Sequence, residues 1–165
     1  MKDYRFAIGI DPSLDGCGYA VIDLNYKTPR LVEKGVIKGR TKTWGDTSRG
    51  VKLKLIEAEL SRLRAKYQPL YPVIFLEQGF AKFKKETQSI YRARGVIELV
   101  FWDMEVKEYS PATVKKVITG NGSASKEIVA DFVGTFYNVD RFEADDESDA
   151  LGVVHTGYLE YIKED

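Results

Sequence analysis

The sequence predicts an α/β protein: a mixed five-stranded sheet, with a three-strand antiparallel meander plus parallel strands, and helices on both faces. Three observations predict it. Short apolar segments joined by turns rich in Gly, Pro, Asn and Asp fill the first forty residues. Beyond residue 46, segments with apolar residues at three- and four-residue steps alternate with short apolar runs. No repeat, low-complexity tract or long linker divides the chain, and its 165 residues, 44% hydrophobic, suit one domain spanning 1–165.

Taken in order, "YRFAIGI" and "GCGYAVIDL" are strands and "RLVEKGVIKG" is a third, close enough in sequence to pair antiparallel. Over 46–67, Leu53, Ile56, Leu60, Leu63 and Tyr67 form one helical face, which Pro69 and Pro72 end. "VIFLEQ" (73–78) is a continuous apolar strand of the kind buried on both sides. Residues 86–103 are helical, with Ile90, Ala93, Ile97 and Val100 on a stripe. "EVKEY" supplies a fifth strand, and Ser110–Pro111 is an N-cap followed by proline at the first helical position. After the break at "GNGS", Ile128, Val129, Phe132, Val133 and Phe136 mark another helix, and Asp146 to Tyr161 the last. Strands separated by helices should lie parallel to the first, which makes Asp11 and Glu77 the ends of neighbouring strands.

Composition excludes several classes. No apolar stretch approaches the roughly 18 residues of a membrane span, and the N-terminal residues carry no signal-like apolar core, so a cytoplasmic protein is expected. One cysteine, Cys17, and one histidine, His155, exclude an internal disulfide framework and argue against a zinc site. Any metal must be a hard ion held by oxygens. The formal net charge of zero hides a separation. Residues 1–79 carry 14 Lys and Arg against 9 acids, residues 80–126 carry 9 against 5, and residues 127–165 carry 2 against 11.

Asp11 closes one apolar strand and Glu77 another, while Asp146 and Asp149 are three apart at the start of the last helix, on one face and in its first turn. Singly, each has an ordinary explanation, as a turn residue, a strand terminus or a helix-dipole partner. Together they would repel unless cations lie between them, and Mg²⁺ or Mn²⁺ accepts such ligands. Two such ions about 4 Å apart suit phosphodiester hydrolysis. The basic remainder would then serve the nucleic-acid backbone: "FAKFKKE" sets Lys82, Lys84 and Lys85 beside Phe80, and residues 27–66 hold 12 Lys and Arg against 4 acids.

"IGIDPSLDGCGYAVI", "IFLEQGF", "YRARGVIE", "VKKVITGNGSASKE" and "DESDALGVVH" follow in order. Together they resemble the RuvC-type Holliday junction resolvases of the ribonuclease H-like superfamily, across nearly the whole chain. The resemblance implies that Asp11, Glu77, Asp146 and Asp149 are the catalytic acids and hold two Mg²⁺, with Mn²⁺ a substitute. It also implies that Phe80 stacks on bases near the crossover, and that Lys115 and Lys126 serve the active site and DNA phosphates. The implied activity is endonucleolytic resolution of four-way DNA junctions by a homodimer, one nick per subunit, leaving 5′-phosphate ends, in a bacterial cell or a phage-infected host. The apolar Val96, Leu99, Phe101 and Trp102 are the expected dimer surface. A branch-migration helicase is a partner that the residues do not specify. Ser13 departs from the family's common glycine, and His155, six residues past Asp149, points away from it on a helix. Rival readings are a nuclease of broader branched-DNA or RNA–DNA hybrid specificity, an actin-like nucleotide-binding domain, which would need a second lobe, and a catalytically silent DNA-binding module.

Overall fold

The computed structural model describes residues 4–41, 45–46, 48–79 and 84–163. The five-stranded sheet has the order β3-β2-β1-β6-β7, built from β1 (Phe6–Asp11), β2 (Gly16–Asp23), β3 (Arg30–Lys38), β6 (Val73–Glu77) and β7 (Val106–Tyr109). β1, β2 and β3 form the antiparallel meander, and β6 and β7 run parallel to β1. A separate two-stranded pair, β4 (Arg40–Thr41) with β5 (Gly45–Asp46), was not expected. Strands of two residues are too short to leave a periodic signal.

Alternation along each strand divides the core. Phe6, Ile8 and Ile10 of β1, with Ile74 and Leu76 of β6, pack beneath α1 (Arg49–Tyr67) and α2 (Lys84–Val100). Ala7 of β1 and Val73 and Phe75 of β6 face the other way, toward α3 (Pro111–Thr119), α4 (Lys126–Tyr137) and α5 (Asp145–Gly157). Continuing that alternation puts Asp11 and Glu77 on the α5 face. The edge strand is clipped on both sides: Glu33 accepts from Arg62, Lys66 and Tyr67 of α1, and Lys34 pairs with the buried Glu147 of α5 at 2.8 Å.

Most expected elements form close to their expected limits. Ser48 caps α1, and Ser110 and Ser125 cap α3 and α4 through side-chain oxygens that accept backbone N–H groups. The α1 stripe is buried at Ile56, Leu60, Leu63 and Tyr67, while Leu53, at its start, is only partly buried against the core. Two readings change. The last helix ends as a regular helix at Gly157 and continues as a wider π turn over Tyr158–Ile162. On α4, Val129 and Val133 are buried, whereas Ile128, Phe132 and Phe136 are exposed. The small face packs inward, and the two phenylalanines lie over His155 at the rim. Among the described residues, no helix is long and apolar enough to cross a membrane.

His155 is buried and its Nδ1 lies 3.0 Å from the Tyr137 hydroxyl, ringed by Phe132, Phe136, Tyr137 and Tyr158. Burial, then the charge of Lys163, pushes its pKa down to about 4. The unfolded chain takes up this proton near its ordinary value of about 6.5, and the folded chain only near 4. Stability supplied by neutral His155 is therefore complete above about 6.5 and is lost as pH falls through 4. In thermal melts, wild type should lose stability relative to His155→Gln across that window, by about 1.4 kcal/mol per pH unit at most. A constant difference between the two proteins from pH 7 to pH 4.5 would contradict this.

Candidate active site

The register of β1 against β6 pairs Gly9 with Phe75 and Ile10 with Leu76, so the next pair is Asp11 and Glu77. The two carboxylates thus lie side by side at the carboxyl end of the sheet, on one face. Asp149 comes down onto them from α5. Among the described residues, Asp11, Glu77 and Asp149 form a group whose carboxylate oxygens lie within 4.8 Å of one another. Asp149 opens the second turn of α5, rather than lying in the first, because the helix starts at Asp145.

Asp146 is a neighbour outside that tight group. Its carboxylate lies over Gly16 and its backbone carbonyl over Gly18, the residue paired with Asp11. A Cβ at Gly18 would stand 1.9 Å from that carbonyl oxygen, so only glycine lets α5 come this close. The charge of Asp146 is felt at Asp11, and that of Asp149 at Asp146.

The cluster opens into a cleft of about 260 Å³, also lined by Gly79, Ile90, Val114, Lys115 and Lys126. Lys126 is the first residue of α4, and its ammonium donates to Asp149 Oδ2 at 2.5 Å. Burial raises the pKa values of Asp11 and Glu77, and the neighbouring acids add to this. For Asp11 these are Asp149 and Asp146, and for Glu77 they are Asp11 and Asp149; Lys126 works against the rise at both, and Lys115 at Glu77. Asp146 is raised by burial and by Asp149. Burial alone would lower Lys126, but its bond to Asp149 and the charges of Asp149, Asp11 and Glu77 raise it on balance.

The donor set fits a hard divalent cation. It consists of carboxylate oxygens only, converging from three elements, and it holds more negative charge than two lysines offset. The nearby Cys17 is fully buried with its thiol pushed up to about 12, by burial first, and is no ligand.

Of the expected site residues, Asp11, Glu77, Asp149, Lys115 and Lys126 are brought together, with Asp146 alongside. Phe80 and Lys82 lie outside the described residues, and so do the side chains of Lys84 and Lys85, although these two begin the backbone of α2. The expected dimer surface divides: Phe101 is in the core and Val96 packs against it, while Leu99 and Trp102 are 70% and 75% exposed. The sequence reading missed Glu147. This buried acid also accepts the Glu143 N–H, and so anchors the first turn of α5 to β3. Its only trace in the sequence is Lys34, a cation that strand alternation turns toward α5.

Raised pKa values carry a definite sign for stability. Carboxylates held up in the folded state stabilise it below their ordinary range near 4, and that contribution is lost as pH rises through the raised values. In a chelator at pH 8, Asp11→Asn should therefore melt above wild type, by about 2–4 °C for each 1 kcal/mol relieved. The gain should vanish at pH 4 and shrink when Mg²⁺ is added. A variant that melts below wild type at pH 8 would show that the acids do not strain the metal-free fold.

A sequence model of the family described as "Crossover junction endodeoxyribonuclease RuvC" matches residues 7–156. The Brachyspira hyodysenteriae protein of that name is 34% identical over 148 residues, covering 88% of this chain and 89% of the relative. The Prochlorococcus marinus (strain AS9601) protein is 36% identical over 154 residues, covering 90% and 93%. In fold, the chain is similar to Thermus thermophilus RuvC, with a TM-score of 0.81 at 22% identity over 96% of each chain. It is similar, at 0.80 and 21%, to the same protein in complex with a Holliday junction substrate, over 98% of this chain and 96% of that one. With a family pattern that runs from β1 through α5 and relatives above 30% identity over most of its length, the chain belongs to the RuvC family of crossover junction endodeoxyribonucleases.

Proposed function

We propose that this protein is an endonuclease that resolves four-way DNA junctions by paired, symmetric nicks, with Asp11, Glu77, Asp146 and Asp149 as the catalytic, metal-holding acids. The observation that carries the reading is the convergence of Asp11, Glu77 and Asp149 within 4.8 Å at an open sheet end beside Lys115 and Lys126. Asp11, Glu77 and Asp149 would hold the cation, with Asp146 near enough to share in a second. Mg²⁺, with Mn²⁺ as substitute, would supply an activated water and stabilise the leaving oxygen. Lys115 and Lys126 bring positive charge to a cleft that must admit a phosphodiester, offsetting the repulsion between phosphate and acids. Phe80 follows Gly79, which lines the cleft, and is assigned to stacking on bases at the crossover. Lys82, Lys84 and Lys85 follow it as phosphate contacts. The exposed Leu99 of α2 and Trp102, in the turn just after it, are assigned to a homodimer contact, since two symmetric nicks require two sites related by a two-fold axis. Cytoplasmic DNA is the expected substrate pool.

Labelled four-way junction, linear duplex and RNA–DNA hybrid, each with and without Mg²⁺, test the reading directly. Cleavage confined to the junction, in opposed strands and only with metal, is expected. Asn or Gln at any of the four acids should abolish cleavage and leave junction binding unchanged or stronger. Full activity of Glu77→Gln would remove the metal assignment, and equal cleavage of hybrid would favour the broader nuclease.

Phe80 separates a junction enzyme from a general nuclease. A base stacked on an aromatic ring contributes about 1–3 kcal/mol, which helps to open pairs at the crossover. Phe80→Ala should therefore slow cleavage of an intact junction far more than of one already mismatched at its centre, with little change in Tm. Equal slowing of both substrates would count against the wedge.

A further inference from the structure

The contact between Lys126 and Asp149 differs from the other buried-acid pair of α5. In Lys34–Glu147 the acid side chain is 2% exposed and also accepts a backbone N–H, while the lysine is half-buried, 23% exposed, with the Phe142 ring beside it. In Lys126–Asp149 only the acid is enclosed, at 11%, and the lysine side chain is 59% exposed. The lysine is also the first residue of α4, so its main chain is fixed by the Ser125 cap while its shaft crosses the open cleft. One end of the pair is anchored and the other can swing.

The ammonium rests on an oxygen of the acid that completes the three-carboxylate group. A divalent cation held by Asp11, Glu77 and Asp149 would place two cations on one carboxylate, and their repulsion at that separation favours departure of the mobile one. The acids whose charge reaches the ammonium are Asp149, Asp11 and Glu77, with Asp146 and the exposed Glu127 beside them. Metal on the first three would offset most of the cluster's charge, leaving a phosphate in the cleft as the strongest new partner.

We propose that Lys126 is an exchangeable counterion: it offsets part of the acid cluster's charge in the metal-free protein, is released from Asp149 when metal binds, and then engages the DNA phosphate. Metal and DNA thereby strengthen each other's binding through one side chain, because coupling between two sites is reciprocal. Lys126 in this role is a positioning residue. The release from Asp149 stands without reference to DNA, and only the second partner rests on the resolvase reading.

The test compares wild type, Lys126→Met and Lys126→Arg. Without DNA, Mn²⁺ titrated by calorimetry should bind the Met variant roughly tenfold more tightly than wild type, since no resident cation must be displaced; one decade corresponds to about 1.4 kcal/mol. The Arg variant should stay near wild type. In wild type alone, Mn²⁺ should speed acylation of Lys126 by an amine-reactive ester several-fold, read by peptide mass spectrometry, because release exposes the amine. This second measurement stands even if the Met variant folds poorly. Equal Mn²⁺ affinities in wild type and a folded Met variant, or acylation of Lys126 unchanged by metal, overturns the exchange. With Ca²⁺, and strands verified intact, metal should tighten four-way junction binding in wild type and do so much less in the Met variant. Equal tightening overturns the coupling. A wild-type protein that binds junction no better than duplex would sink the resolvase reading and leave the metal-release result untouched.

Discussion

The approach of α5 to the sheet is the constraint on which the site depends. An ideal Cβ on Gly9 would lie 2.2 Å from the Ala150 carbonyl oxygen, and one on Gly18 would lie 1.9 Å from that of Asp146. Any side chain at either position would push the helix outward, and a backbone carbonyl cannot rotate aside as a flexible side chain can. The helix is held from its other face as well, where Gly152 lies against Val114 and Val129 of α3 and α4. A helix lodged between a sheet and two other helices has no freedom to lift. Asp149 therefore reaches the strand-borne Asp11 and Glu77 because glycines have removed the usual gap between helix and sheet.

That rigidity explains how acids can be gathered against their own repulsion. The energy that holds them is supplied elsewhere, by two apolar layers and by the pairing of Glu147 with Lys34 at the helix start. Burial then makes the repulsion worse, since a low dielectric strengthens it and disfavours each ionised carboxylate. The site is thus a place where local stability is lost so that charge stays concentrated. Its relief comes from cations, two of them lysines on the neighbouring α3 and α4, and its remaining deficit suits a divalent ion.

Much of this was legible in the sequence, because alternation within strands is itself geometric information. Ile8 and Ile10 bracket Gly9, and Ile74 and Leu76 bracket Phe75, so the faces of Asp11 and Glu77 follow by counting. The three-residue step from Asp146 to Asp149 likewise showed a shared helix face, although only the seating of α5 on the sheet distinguishes the acid inside the tight group from the one beside it. What stayed hidden depends on which of two amphipathic choices the tertiary fold takes. On α4, both the valine stripe and the phenylalanine stripe could have been core, and the close packing against α5 selects the smaller one. Phe101 and Trp102 are adjacent and both apolar, and the end of α2 at Val100 turns one into the core and the other to solvent. The Lys126–Asp149 bond joins segments 23 residues apart, beyond the reach of any local pattern.

The uneven charge along the chain acquires a spatial meaning from the same topology. The acids of residues 127–165 are not a separate tail. Asp146 and Asp149 enter the site, Glu147 is buried against β3, and Glu127, Asp131 and Asp140 lie exposed on or just after α4. A polyanion approaching the α4 surface away from the cleft meets Asp131 and Asp140. One approaching the sheet end between α3 and α4 meets Lys115 and Lys126, with Glu127 beside them. At physiological ionic strength the screening length is roughly 8 Å, so each patch acts over about its own dimensions and opposite patches do not cancel at a distance. A protein of zero net charge can then attract nucleic acid at one aperture while repelling it next door. This restricts which face of the backbone reaches the carboxylates, independently of any contact to a base.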